Sequence, residues 1–214
     1  MNESRSSLKK KRIRRFFLNF GPLEIEKEES IQEEVEAGLK YTQMCLPIEK
    51  ITPEMEEKLK EKIQPHILKA DVRECNVEDL ERLMYIYNRS WMTTNTPFSP
   101  IELDTLQSIH DYPDTIILIA KLYGKDVGFI ILDFEGENNQ YGVIAGLGVL
   151  PSYQGKGIGK LLALHAWDKF EEKGVEELRC EVYSKNKRAE SFIRSIGFEK
   201  YDEKVYKKGD FELS

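Results

Sequence analysis

Hydrophobic residues recur at two different periods along the chain, and together they predict an α/β fold. Runs rich in apolar and β-branched residues predict strands, whereas apolar residues three and four positions apart predict helices. Strands are predicted at residues 67–75, 115–123, 127–135, 141–150, 177–184 and 197–208. Helices are predicted after Asn76, after Ser99, at 157–173 and at 187–196. This order predicts a mixed sheet with helices on both faces.

A glutamate-rich segment precedes this pattern, and its apolar positions predict helices. Residues 21–66 hold 12 Glu and 6 Lys. Ile31, Val35, Leu39 and Leu46 fall close to helical spacing. We therefore predict that this segment is a helical extension of the domain that follows it.

A second helix of the extension has a typical start. Thr52 suits an N-cap and Pro53 suits the first helical position. The apolar residues that follow, Met55, Leu59 and Ile63, form one narrow stripe on a helix. Such a stripe predicts packing against the following domain or, alternatively, a contact between subunits.

The first 20 residues carry seven basic residues and one acidic residue. This bias predicts either a solvated tail or an arm for an anionic partner. The chain is thus divided into a basic tail (1–20), a Glu-rich helical extension (21–66), an α/β domain (67–208) and a C-terminal tail (209–214).

Composition narrows the classes of function. A net charge of −6 argues against general attraction to nucleic acid. No apolar run reaches the roughly 20 residues that span a bilayer. The histidines are isolated and no residue spacing resembles a metal site, so we expect no metal. The three cysteines, Cys45, Cys75 and Cys180, are far apart and odd in number. They therefore predict a cytoplasmic protein without disulfides.

The stretch PSYQGKGIGKLL at residues 151–162 points to a specific ligand. It joins a predicted strand to a predicted helix, and residues 138–167 contain no Asp or Glu although the chain has 38. Glycines let the backbone approach a ligand closely, and the start of a helix presents unpaired N–H groups with partial positive charge. Lys156 and Lys160 are mildly unfavourable there unless something negative binds. The pattern therefore predicts a pyrophosphate site.

Two common phosphate-binding motifs do not fit this turn. A P-loop requires Gly at position 154, where this chain has Gln, and Ser or Thr after Lys160, where it has Leu161. A dinucleotide fingerprint requires G-x-G-x-x-G, whereas the glycines here follow G-x-G-x-G. The remaining alternative is a glycine-rich turn that only packs.

The turn resembles the acyl-CoA motif Q/R-x-x-G-x-G/A of the GNAT superfamily of N-acetyltransferases. Gln154, Gly157 and Gly159 fill this motif, and the family's second signature is matched further along by Asn186, Ala189, Ile196, Gly197 and Phe198. The resemblance covers residues 67–207. It implies the GNAT fold: a mixed, mostly antiparallel central sheet, splayed between its fourth and fifth strands, with helices on both faces.

The resemblance also implies where the donor acetyl-CoA binds. The main chain of the fourth strand would hold the pantetheine arm like an added strand, at Leu147, Gly148 and Val149. The pyrophosphate would lie on the turn formed by Gln154, Gly155, Lys156, Gly157, Ile158, Gly159 and Lys160. Asn186 would hydrogen-bond the pantetheine from the end of the next strand. Gly146 and Gly148 suit a bulge or a close backbone approach.

Candidate catalytic residues follow from the same resemblance. Glu181 stands where several relatives carry a residue facing the acceptor amine, and it is the leading candidate for the base; the alternative is an exposed strand glutamate without a role. Tyr183 and Tyr141 are weaker candidates. Relatives commonly have a general-acid Tyr where this chain has Ile193, a departure that puts the usual acid in doubt.

The acceptor is expected to bind near the first two helices and their loop, at Trp91, Asn95 and Phe98. The resemblance therefore implies direct transfer of an acetyl group from acetyl-CoA to a primary amine in a ternary complex. The alternative is a catalytically silent acyl-CoA-binding module that serves a partner.

Overall fold

The computed structural model describes residues 38–65, 67–94, 96 and 100–207. Several sequence-based predictions lie outside these residues. They are the basic tail with its anionic partner, the C-terminal tail at 209–214, the helical spacing at Ile31 and Val35, and the acceptor candidates Asn95 and Phe98.

A single seven-stranded sheet organises the described residues. Its strands are β1 (Leu39–Pro47), β2 (Asp71–Glu74), β3 (Ile116–Leu122), β4 (Lys125–Glu135), β5 (Tyr141–Val149), β6 (Glu177–Tyr183) and β7 (Glu199–Tyr206). They lie in the order β2-β3-β4-β5-β6-β1-β7. Every neighbouring pair is antiparallel except β5 and β6, which are parallel. The predicted mixed, mostly antiparallel sheet is confirmed.

Helices cover both faces of this sheet. They are α1 (Pro53–Lys60), α2 (Leu80–Trp91), α3 (Leu103–His110), α4 (Ile158–Glu172) and α5 (Lys187–Ser195). One core lies between α2, α3 and the sheet, and it includes Leu83, Leu106 and Phe129. The other lies beneath α1, α4 and α5, and it includes Leu59, Leu162 and Ile193. Short 3₁₀ turns occur at Ile48–Lys50, Val77–Asp79, Glu137–Asn139 and Pro151–Tyr153.

The prediction of a helix across Leu39 and Leu46 is wrong. These residues lie in β1, which pairs with β6 on one side and β7 on the other. A strand in the middle of a sheet can be buried on both faces, and it then shows no clean alternation that separates it from a helix. Long-range pairing therefore decides the conformation here. Because β1 is internal, the predicted boundary between residues 66 and 67 does not separate two folded units.

The predicted strand at 67–75 is also shorter than expected. Only Asp71–Glu74 pair with β3, whereas the residues before them form a turn that places Ile67 in the core. At the C-terminal end, residues 197–208 contain a single strand, β7.

The helix starts predicted at Thr52 and after Asn76 are confirmed. The Thr52 hydroxyl accepts a hydrogen bond from the Met55 amide at 3.3 Å, with Pro53 opening α1. Asn76 and Asp79 form a capping box ahead of α2. The stripe on α1 packs on the domain, since Leu59 and Ile63 are buried beneath α4 and Met55 packs against the same core.

The splay between β5 and β6 creates the space for a site. The two strands pair only where Tyr141–Val143 face Glu177–Arg179. Beyond Val143, β5 continues to Val149 while β6 diverges from it. The predicted splay between these two strands, the fourth and fifth of the 67–208 segment, is confirmed.

Candidate active site

A cavity of about 560 Å³ fills the gap between β5 and β6. It is lined by most residues that the sequence singled out, namely Trp91, Leu147, Gly148, Val149, Gln154, Gly155, Gly157, Ile158, Gly159, Lys160, Glu181, Tyr183 and Asn186. Lys156 and Tyr141 are not among its lining residues. The structure thus brings the two motifs, which are distant in sequence, to one site.

The motif glutamine holds the glycine turn against the strand. Gln154 Nε2 donates a hydrogen bond to the carbonyl oxygen of Val149 at 2.8 Å. The chain then passes through Gly155 and Gly157 with φ of 75° and 104°, conformations that residues with a Cβ rarely adopt. The side chain of Gln154 therefore shapes the turn, and its main-chain amide donates to the carbonyl oxygen of Pro151 at 3.3 Å.

The turn delivers unpaired N–H groups into the cavity. The first hydrogen bond of α4 runs from the Leu161 amide to the Gly157 carbonyl at 3.0 Å. The amides of Ile158, Gly159 and Lys160 therefore precede any intrahelical partner and lie at the positive end of the helix dipole. This arrangement suits a phosphate group.

Residues of α5 and of the segment after α1 pack closely against the turn. A Cβ on Gly159 would lie 3.0 Å from Phe192 Cζ of α5. A Cβ on Gly157 would lie 3.0 Å from Ile63 Cγ2 and 3.1 Å from Ile63 Cα. The segment after α1, which the sequence assigned to a separate extension, is therefore part of the wall of the site.

Most of the charged residues that line the cavity are basic. Its basic lining residues are Lys62, Lys160, Lys185, Lys187 and Arg188, whereas Glu181 is the only carboxylate among the described lining residues. Lysine ammonium and arginine guanidinium groups are the usual partners of phosphate. Lys156 lies over the ring of Tyr153, 5.3 Å from its centroid. The basic residues favour binding of a polyanion, and Glu181 is the lining residue that could bind a cation.

The edge of β5 suits a ligand that binds like a strand. Within the described residues, the part of β5 beyond Val143 has no strand pair on the side facing β6. Gly148 is required by packing, because a Cβ there would lie 2.5 Å from Phe129 Cε1 and 3.0 Å from Ser90 Cβ. Main-chain groups near Leu147 and Val149 are therefore placed to hydrogen-bond an extended arm.

Asn186 has a structural role at the opposite wall. Its side-chain oxygen accepts a hydrogen bond from the Ala189 amide at 3.0 Å and so caps α5. Its amide nitrogen donates to Thr96 Oγ1 at 2.8 Å. The second motif thereby fixes both the helix start and the segment that follows α2.

A cluster of tyrosines surrounds Glu181. The Tyr206 hydroxyl lies 2.9 Å from each of the two carboxylate oxygens of Glu181. The ring of Tyr41 lies 5.6 Å from that of Tyr206 and 5.6 Å from that of Tyr183. Burial, followed by the charge of Glu181, raises the pKa of Tyr206, so its hydroxyl keeps the proton that it donates.

The other candidates lie as follows. Trp91 stacks on Tyr87 with ring centroids 5.8 Å apart and faces the cavity from the end of α2. Tyr141 lies at the opposite end of β5, beneath the Arg179 guanidinium at 3.4 Å from the ring centroid. Since a strand rises about 3.3 Å per residue, Tyr141 is roughly 20 Å from the donor edge at Leu147. The structure therefore excludes Tyr141 from the site.

Ile193 is buried in the core and also lines the cavity. The position where relatives carry a tyrosine hydroxyl thus presents an apolar side chain here.

Sequence reasoning missed Tyr41, Tyr206 and Lys62. Tyr41 and Tyr206 lie outside both motifs and belong to neighbouring strands, β1 and β7. Only the strand order brings them to Glu181. The narrow stripe on α1 was a usable signal for Lys62, because packing that stripe on the domain brings the following residues to the turn.

The described ranges contain no group of three or more His, Cys, Asp or Glu residues that could hold a metal ion. Across the same residues, no helix combines the length and apolarity needed to span a bilayer.

Comparisons with known proteins agree with the site. The profile of the acetyltransferase (GNAT) family matches residues 80–198, more than half of the chain. Acetyltransferase SG1711 of Sodalis glossinidius (strain morsitans) is 25% identical over 132 residues, covering 62% of this chain and 89% of that protein.

Solved structures show the same fold. The PaiA N-acetyltransferase of Thermoplasma acidophilum, in complex with coenzyme A, is 25% identical with a TM-score of 0.53 and covers 64% of this chain and 99% of its own. AAC(6')-Iy in complex with the bisubstrate analogue CoA-S-monomethyl-acetylneamine is 20% identical with a TM-score of 0.55, covering 64% and 95%. With both motifs lining one cavity and the family profile spanning them, the chain belongs to the acetyltransferase (GNAT) family and is an acyl-CoA-dependent N-acetyltransferase that uses acetyl-CoA as donor.

Proposed function

We propose that this enzyme transfers the acetyl group to a primary amine by direct attack within a ternary complex. The observation that carries the proposal is that Glu181 lines the same cavity as the donor turn. The amine nitrogen attacks the thioester carbonyl carbon, the C–N bond forms and the C–S bond breaks. The amide and free CoA leave. Of the two protons that the ammonium group loses, one passes to solvent through Glu181 and the other, by way of water, protonates the thiolate.

Glu181 supplies the base. A lysine-like amine has a pKa near about 10.4, so it arrives protonated and must lose a proton before it can attack. A carboxylate attracts the ammonium group and then accepts its proton, directly or through one water. Among the described lining residues no other carboxylate is available for this step.

The leaving thiolate does not need an acid from position 193. A thiol of this kind has a pKa near about 8.5, so its thiolate is a tolerable leaving group near neutral pH. Water can protonate it after the C–S bond breaks. The apolar Ile193 therefore fits a slower enzyme and does not argue against turnover.

The acceptor is an amine that carries positive charge. Glu181 offers a carboxylate, and the rings of Tyr41, Tyr183 and Trp91 offer aromatic surfaces, in the lining of the same cavity. Asn95 and Phe98, outside the described residues, stay predicted acceptor contacts. The bisubstrate complex of AAC(6')-Iy supports amine acceptors for proteins of this fold. The cytoplasmic location also stays a prediction, consistent with three free cysteines.

The test measures release of free CoA thiol from acetyl-CoA over a panel of polyamines, aminoglycosides, amino acids and peptide N-termini. Glu181→Gln should lower kcat by about 10²-fold or more while CoA still raises the melting temperature, because proton transfer to a positioned base typically contributes 10²–10⁴-fold. Glu171→Gln, at an exposed position of α4, is the matched control. Turnover unchanged by Glu181→Gln would refute the assignment of the base. Absence of turnover with every amine class would favour the silent acyl-CoA-binding module.

A further inference from the structure

We propose that Tyr206 is a positioning residue that holds the carboxylate of Glu181 in the orientation needed to accept the proton of the amine. This inference rests on the proposed role of Glu181 as base. Tyr206 lies in β7, beyond the residues 80–198 that match the family profile. The catalytic base would therefore depend on a strand that the shared family segment does not include.

The geometry of the contact is specific. The phenol hydroxyl lies 2.9 Å from both carboxylate oxygens, so a single donor is shared between them. A donor shared in this way restrains rotation of the carboxylate about its terminal torsion, which is otherwise broad. Tyr206 is 3% exposed, so the donor itself has little freedom. The carboxylate consequently has a fixed plane in the cavity.

The strand order explains how the two residues meet. β1 lies between β6, which carries Glu181, and β7, which carries Tyr206. The hydroxyl therefore reaches across β1, where the ring of Tyr41 packs against the ring of Tyr206 at 81° and against that of Tyr183 at 56°. Three tyrosines from three strands thus form one aromatic wall, and the hydroxyl of Tyr206 donates to Glu181.

The hydrogen bond has a chemical consequence as well as a geometric one. Donation to a carboxylate favours its ionised form over its protonated form. The loss of this donor should therefore be measurable in the kinetics of the enzyme.

Other charged and titratable groups surround the pair and act on the same pH profile. Among the described residues they come from four strands, namely Glu135 of β4, Tyr41 of β1, Glu177, Arg179 and Tyr183 of β6, and Tyr201 and Lys204 of β7. None of these groups is removed when the Tyr206 hydroxyl alone is deleted. The hydroxyl can therefore be tested separately from its surroundings.

The test is Tyr206→Phe in the full-length enzyme, which removes the hydroxyl and keeps the ring. We expect the acidic limb of the kcat/KM profile to move to higher pH, because the carboxylate loses a donor that favours its ionised form. We expect kcat on the plateau to fall about tenfold, with the Kd for CoA unchanged. Tyr206→His, which can still donate, should recover part of the loss.

Tyr85→Phe is the control, because it removes a hydroxyl from the exposed side of α2, where Tyr85 is 57% exposed and does not line the cavity, and it should leave the profile in place. In a Glu181→Gln background, Tyr206→Phe should cause no further loss of kcat. A wild-type profile and kcat in Tyr206→Phe, combined with a crippled Glu181→Gln, would overturn the inference and leave the proposed base intact. A lowered melting temperature without any change in the profile would show a structural role only, and it would also overturn the inference. Full activity of Glu181→Gln would instead remove the proposed function itself.

Discussion

At the scale of single residues, the site depends on positions where a side chain must be absent. Gly157 has a φ of 104°, and a Cβ there would lie 3.0 Å from Ile63 Cγ2. It also lines the cavity, at the turn that is predicted to bind the pyrophosphate. Glycine here serves the backbone conformation, the packing and the approach of the ligand together. A substitution at Gly157 therefore tests the donor site more directly than a change at any of the surrounding lysines.

Gly157→Asp should abolish CoA binding, since it places a side chain and a negative charge where the pyrophosphate binds. Wild-type protein should show a clear rise in melting temperature with CoA, because a ligand at 100 times its Kd adds about 2.7 kcal/mol. Gly174→Asp is the control, since Gly174 also has positive φ, at 68°, but lies at the far end of α4. A wild-type protein without any shift at millimolar CoA would contradict the donor site.

Ile193→Tyr should raise kcat or leave it unchanged, with little effect on CoA affinity, because it adds the hydroxyl where relatives have one. The variant should also be less stable by about 1–3 kcal/mol, since Ile193 is packed in the core and a larger side chain must be accommodated. Steady-state kinetics and denaturant unfolding measure the two effects. A large loss of kcat at unchanged CoA affinity would show that Ile193 shapes the acceptor pocket.

At the scale of elements, the cap ahead of α2 links the fold to pH. Asp79 accepts two hydrogen bonds from the Arg73 guanidinium, at 2.6 and 2.7 Å, and one from the Asn76 amide at 2.9 Å. The Arg73 contact, opposed by burial and supported by the amide, lowers the pKa of Asp79 to about 2. A lowered pKa means that the stabilisation is present above the ordinary pKa and is lost as the pH falls from about 4 to 2.

Asp79→Asn should therefore lower the free energy of unfolding by about 2 kcal/mol at pH 7, and the difference from wild type should shrink towards pH 2. Urea unfolding at several pH values measures this dependence. Asp71→Asn, at an exposed position at the start of β2, should show no such trend. A difference that stays constant with pH would mean that the Asp79 charge does not carry the stabilisation.

The segment after α1 gives a second prediction at this scale. Lys62 lines the cavity beside the glycine turn, and its charge should help to hold the phosphates of CoA. Lys62→Ala should weaken CoA binding about fivefold, which corresponds to roughly 1 kcal/mol for a partly exposed charge contact. The effect should shrink at high salt and vanish for pantetheine, which lacks the phosphates. Lys58→Ala, on α1, is the control, and equal losses in both variants would point to general surface charge.

Local features of the sequence predicted their elements well. The glycine turn, the cap at Thr52 and the helix start after Asn76 each depend on residues within a few positions of one another, and each formed as predicted. The contact between Glu181 and Tyr206, in contrast, could not be predicted from the sequence. Tyr206 and Glu181 are 25 residues apart and meet only because β1 inserts between their strands. The order of strands depends on pairing energies across the whole sheet, which local patterns do not record.

At the scale of the whole molecule, the family segment is not a self-sufficient unit. Residues 80–198 contain both motifs, yet the sheet also requires β1, β2 and β7. β1 supplies Met44 and Leu46 to the core, both buried, and the stripe on α1 covers α4. The residues outside the matched segment therefore complete the core and also line the cavity.

Deletion of residues 1–64 should leave an insoluble or unfolded protein, although every family motif would remain. The deletion removes β1, so β6 and β7 would lose their shared partner and expose unpaired strand edges, which favour aggregation. It also removes Leu59 and Ile63, which are each 3% exposed, and burial of one such side chain contributes about 1.5–3 kcal/mol. Deletion of residues 1–20 alone should leave the melting temperature and the CoA-induced shift nearly unchanged. Soluble expression, circular dichroism and melting with and without CoA distinguish the two variants. A folded, CoA-binding protein lacking residues 1–64 would show that β1 is dispensable, and equal damage from the short deletion would show that the basic tail is structural.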